Sequence, residues 1–145
     1  MTRLAELLAG VLAGRVAPGV YHWRPALTLE QLADAATPTG WRTAYLDGEG
    51  VQSRGEAYDA LKVTLGLPAH VASDLDALWE GLRDLPRPTV VLWEEWGSLA
   101  WADRPAFVAI ARLLDERAAE VGGLVVLLRG EGPATDYPSL DGSSG

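Results

Sequence analysis

Residues 89–96, TVVLWEEW, decide the fold. Val90, Val91, Leu92 and Trp93 follow one another with no alternating polar position, so a strand here has apolar side chains on both faces. Residues 124–130, LVVLLRG, repeat the pattern. A strand with one wet face alternates, whereas a strand wrapped on both sides does not. Two such runs, separated by a helical segment, predict a parallel sheet packed by helices, an α/β class. The segment between them, DRPAFVAIARLLDERAAEVGG, places Phe107, Ile110, Ala111, Leu114 and Ala118 on one helical face. Pro105 falls in its first turn and Gly122 and Gly123 close it.

Upstream, WRTAYLDGEG (41–50) reads as a further strand leaving through an Asp-Gly turn. SRGEAYDALKVTLGLP (53–68) then opens with Ser53 and Glu56 at capping-box spacing and ends at Gly66 and Pro68. APGVYHW is a turn with a short strand-like run, and TLEQLADAA carries a second capping box, Thr28 with Gln31, stopped by Pro38 and Gly40. The first fifteen residues place Leu4, Leu7, Leu8, Val11 and Leu12 on an amphipathic stripe interrupted by Glu6, which reads as a helix rather than a secretory signal. From Glu131 onward turn residues follow without a period, and this stretch reads as a flexible tail, residues 131–145. The organisation expected is an N-terminal extension (1–42), a core domain (43–130) and that tail.

Composition narrows function. The 145-residue chain carries 12 basic and 20 acidic residues, a formal charge of −8. That balance argues against nucleic acid as a direct ligand, because phosphate binding needs clustered Lys and Arg, and suits a basic protein partner. With no cysteine there is neither disulfide nor thiolate metal site, in keeping with a cytoplasmic protein. No stretch is long enough to cross a membrane. No glycine-rich phosphate loop follows a strand, and the two histidines, His22 and His70, are too isolated for a zinc site. No cofactor is expected.

HVASDLDALWEGL, residues 70–82, holds the candidate site. Leu75, Leu78 and Leu82 form an apolar stripe, with Trp79 at its border and Asp76 and Glu80 one turn apart beside it. A bland account exists: Ser73 and Asp76 fit a capping box, and Asp74 and Asp76 complement the helix dipole. Glu80 lies beyond the first turn and is not explained that way. Trp79 fits either a core position or an interface rim. Ser73 near His70 lacks the context of a nucleophile, and the carboxylate pairs Asp76/Glu80 and Glu94/Glu95 lack a substrate-positioning basic cluster, so the chain reads as a non-enzyme. Trp93, Trp96 and Trp101 read as core, and Arg112 with Glu116 as an exposed i, i+4 ion pair.

The run AYLDGEGVQSRGEAYDALKVTLGLPAHVASDLDALWEGL, with PTVVLWEEW and ERAAEVGGLVVLL after it, resembles the barstar family, intracellular inhibitors of barnase-type ribonucleases, over about residues 43–128. The resemblance implies a three-stranded parallel core, to which the N-terminal extension can add a fourth strand. It also implies a function: blocking a basic extracellular-type ribonuclease with an acidic helix that imitates RNA phosphates, as an immunity protein or antitoxin that is a monomer when free. The other expectation is a module of this fold with a different basic partner. By the same resemblance the partner-facing positions are His70, Ser73, Asp74, Asp76, Trp79, Glu80 and Glu116. Glu80 stands where the family carries an aspartate and His70 where it carries a tyrosine, and VASD replaces a glycine-containing loop.

Overall fold

The computed structural model describes residues 6, 10, 15–23, 28–67, 74–83, 88–121 and 123–139. The helix expected over residues 1–15 falls largely outside them. In chain order the elements are β1 (Gly19–His22), α1 (Leu29–Ala36), a 3-10 turn (Thr37–Thr39), β2 (Arg42–Asp47), α2 (Arg54–Leu65) and α3 (Leu75–Arg83). There follow β3 (Thr89–Glu94), α4 (Gly97–Ala102), α5 (Arg104–Val121) and β4 (Leu124–Arg129).

All four strands are parallel, in the order β1-β4-β3-β2. The registers Arg42↔Thr89 and Thr89↔Leu124 align the starts of three strands, and Gly19↔Val125 adds β1 at one edge. The extension therefore does supply a fourth strand.

Both faces of the sheet are covered, which is why β3 and β4 show no alternation. Ala44, Leu46, Val91, Trp93, Val126 and Leu128 pack with buried residues of α2, α3, α4 and α5 on one face. Val90, Leu92, Val125, Leu127 and Tyr21 pack with Leu32 and Ala36 of α1, and with Trp23 and Trp41, on the other. Asp115 of α5 ties the edge strand down, accepting from the Val20 amide at 3.0 Å.

Local chemistry sets the element ends. Thr28 and Gln31 form a reciprocal capping box, so two orphan amides at the start of α1 are satisfied. At α2 the box is only half made. Ser53 accepts from the Glu56 amide, but the Glu56 carboxylate takes the Gln52 amide and the Ser53 hydroxyl instead. Gly66, at φ 69°, closes α2 in the left-handed region that favours glycine. Asp103 starts α5 by accepting from the Ala106 amide.

Three expectations are corrected. A six-residue helix, α4, stands between β3 and α5 where none was read; GSLAWA is too short for a period to declare it. It turns Trp101 outward, 69% exposed, whereas Trp93 and Trp96 are core. Residues 131–139 are aperiodic but packed. Pro133 is buried, Tyr137 rests on the core, Arg104 donates to the Ala134 carbonyl, and the His22 amide donates to the Pro138 carbonyl. His22 Nε2 also meets the Thr135 hydroxyl. This segment is tied mainly through backbone carbonyls, which leave no mark in side-chain pattern. Residues 140–145 lie outside the described set.

Candidate functional site: the acidic face of helix α3

Helix α3 begins at Leu75 because Asp74 caps it: its Oδ1 accepts from the Ala77 amide at 2.8 Å, and its carbonyl accepts from Leu78. The cap thus falls one residue later than the Ser73–Asp76 spacing predicts. Ser73 and His70 themselves lie outside the described residues.

Leu78 and Leu82 are buried, and Leu75 and Trp79 pack half-buried beside them. These four leave the opposite side to Asp76, Glu80 and Arg83, all exposed, with Asp74 exposed at the helix start. Among the described residues one carboxylate of this face has an ionic partner: Glu80 meets Arg83 at 3.2 Å, with the two side chains 63% and 58% exposed. An exposed pair of this kind is worth about 0–1 kcal/mol and is easily exchanged for a better partner.

Tyr58 of α2 lies close to the start of this face. Burial pushes its phenol above the ordinary 10.0; Asp74 adds to the rise and Arg54, which hydrogen-bonds it, opposes it. Trp79 turns one face of its indole to α5, where the Arg117 guanidinium carbon sits 4.0 Å from the ring centroid. Arg117 Nε donates to the Trp79 carbonyl at 3.1 Å. Sequence reading passed over Arg117, because an arginine between Glu116 and Glu120 on a charged helix looks like surface.

Glu116 has different neighbours. It opens, exposed, on a groove of about 510 Å³ between α5 and residues 133–137, shared with Arg104, Arg112 and Tyr137. Among the described residues the expected Arg112–Glu116 ion pair does not form, and the ion pair of α5 is Arg117 with Glu120. The structure therefore gathers Asp74, Asp76, Trp79 and Glu80 on α3 and sets Glu116 apart from them.

One of the two carboxylate pairs, Glu94 with Glu95, is already committed elsewhere. Glu94 is held in a two-point ion pair by Arg129, with both contacts at 2.8 Å, so it is no free partner for Glu95. Among the described residues no group of three His, Asp or Glu side chains is placed to hold a metal ion. No helix among them is long and apolar enough to cross a membrane.

A parallel sheet packed by helices, one of which carries carboxylates outward beside a half-buried indole, defines an α/β protein with an acidic helix face. Residues 41–130 match the family of barstar, the barnase inhibitor, and the chain belongs to that family. No curated protein matches the chain. Among solved structures, the ORC2 protein of Aeropyrum pernix, solved as ADPNP–ADP complexes, is similar at a TM-score of 0.63 and 16% identity. The match covers 89% of this chain and 39% of that one. This chain spans well under half of that protein, and the likeness is one of fold. The segment between β1 and α1 here is WRPALT, without the glycines that let backbone amides approach phosphates.

Proposed function

We propose that the chain is a non-enzymatic inhibitor of a basic, extracellular-type ribonuclease, and that it closes the enzyme's active site with the outer face of α3. The observation that carries this reading is the pair Asp76 and Glu80. Both are exposed one turn apart on a helix anchored to the core, and the sole ionic partner of the pair among the described residues is a surface arginine. Carboxylates so placed can occupy the sites where RNA phosphates meet an enzyme's arginines and lysines. Membership of the barstar family supports the same partner class. In this reading the protein acts in the cytoplasm as an immunity protein or antitoxin, is a monomer when free, and uses Asp74, Asp76, Trp79 and Glu80. His70, Ser73 and Glu116 are secondary positions of the interface.

The test is an RNA-cleavage assay in which the purified chain is titrated against a barnase-type nuclease and against one from the same source. Stoichiometric inhibition is expected, weakening as salt is raised. Asp76→Ala and Glu80→Ala should each cost about 2 kcal/mol or more of binding, the general size of an interface hot spot, for which this family's complexes are themselves a standard case. Neither substitution should disturb folding. Undiminished affinity in both variants removes the site assignment.

A second reading is favoured by Glu80. It is one methylene longer than the family's aspartate and is already engaged by Arg83. This suits a module that keeps the fold and grips a different basic protein. Inhibition of neither nuclease, with Asp76-dependent retention of another basic protein, selects it.

A further inference from the structure

Among the described residues Arg117 is the one charged residue that is buried, at 3% exposure. A buried guanidinium is costly unless its donors are met. Glu120 takes one terminal nitrogen, and the other is buried with no hydrogen-bond partner. The remaining contacts converge on a single residue of the neighbouring helix: Nε bonds the Trp79 carbonyl, and the guanidinium plane covers the Trp79 ring. Arg117 thus grips α3 by backbone and side chain together.

That grip has a mechanical consequence. Helix α3 has nine residues, and its two fully buried side chains, Leu78 and Leu82, lie along one line. Anchors on one line fix where a helix lies better than how far it has rolled about its axis. A residue held one position around the barrel, as Trp79 is, supplies the missing constraint. A roll of about 20° would carry a side-chain tip about 2 Å sideways, on a helix about 10–12 Å across. Recognition of cations by carboxylates is degraded by displacements well below that.

We propose that Arg117 is a positioning residue for the acidic face. It sets the roll of α3 and the orientation of Trp79, so that Asp76 and Glu80 meet the partner's cations without first reordering. The proposal rests on α3 being the partner-binding face, and its test separates the two. Arg117→Met keeps the length and removes the charge. Arg117→Lys keeps the charge and removes the planar fork.

The first measurement needs no partner. Hydrogen exchange of the free protein should be faster at the α3 amides in both variants, with the β3 and β4 amides unchanged, and a fluorotryptophan signal assigned to Trp79 should shift. Unchanged exchange in α3 and an unchanged Trp79 signal overturn the proposal, whatever the partner proves to be. The second measurement is association with the inhibited ribonuclease. Dissociation should be faster by about tenfold in both variants, with association altered less than about threefold, since the exposed acids that steer encounter are intact. Full rescue by lysine would mean that charge alone matters, and would also overturn the proposal. If the wild-type chain binds neither nuclease, the functional reading fails and the exchange data still decide the role of Arg117.

Discussion

Gly97 shows how tightly single positions are constrained at the carboxyl ends of the strands. A Cβ added there would stand 1.9 Å from the Glu131 carbonyl oxygen, a backbone atom that no rotamer change can move aside. The same neighbourhood holds the Trp96 indole, whose Nε1 donates to the Gly130 carbonyl at 3.0 Å. Gly97→Ala should therefore destabilise the protein by about 3 kcal/mol, at the upper end of ordinary overpacking, and loosen residues 131–139. Urea denaturation measures the first effect and limited proteolysis within 131–139 the second. Wild-type stability together with wild-type resistance to cleavage would show that this close approach is not maintained. Trp101, three positions beyond Ser98, makes the contrast: exposed as it is, its indole adds surface rather than core. Trp93 was legible as core because it belongs to a continuous apolar run, and Trp96 follows that run after two glutamates. Trp101 belongs to a helix shorter than two turns, and only the packing of α4 reveals which way it faces. Arg117 was passed over on residue type alone: an arginine suggests solvent, yet it stands three positions beyond Leu114 and seven beyond Ile110, on the apolar side of its helix, and its partner lies thirty-eight positions away on another helix.

Elements with strong internal chemistry were readable, and those defined by distant contacts were not. The Thr28–Gln31 box, the Gly66 stop and the apolar strands follow from neighbours within a few residues. The C-terminal segment depends on groups whose placement requires the fold. The ion pair joining β3 to β4 belongs to the second kind. Parallel register sets Glu94 beside Arg129, and the two side chains are 24% and 17% exposed. The Arg129 guanidinium is held above its ordinary value, first by the hydrogen bonds it donates to Glu94, with burial opposing. Glu94→Gln keeps the shape and removes the charge, leaving a largely buried cation short of its counter-ion. A loss of about 2 kcal/mol is expected, below the 3–5 of a fully buried pair because water still reaches this one. Chemical denaturation of the two proteins at neutral pH measures it. A change under about 0.5 kcal/mol, the range of an ordinary surface substitution, would show the pair to be no more than that.

At the scale of the whole molecule, β1 and α1 are laid on a core that the family match covers from residue 41. They close one sheet face and one edge, and Tyr21 and Tyr137 lie where the addition meets α5 and the C-terminal segment. Burial pushes both phenols above 10.0, with Asp115 adding to each, and Tyr58 is raised chiefly by burial as well. A phenol that holds its proton more tightly in the folded state contributes stability in full below the unfolded value. That contribution is lost as pH rises through the folded one, because the unfolded chain then carries fewer protons. Stability should be level from neutral pH toward 10 and decline beyond it, as up to four phenols, Tyr45 among them, are forced to ionise. Urea midpoints across that range, read beside phenolate absorbance, test this. Tyr58→Phe should flatten part of the decline without touching the acid side, and Tyr137→Phe should do the same. A midpoint that holds steady well above pH 10, with the phenols already titrated, would mean that these rings are wetter than the packing implies.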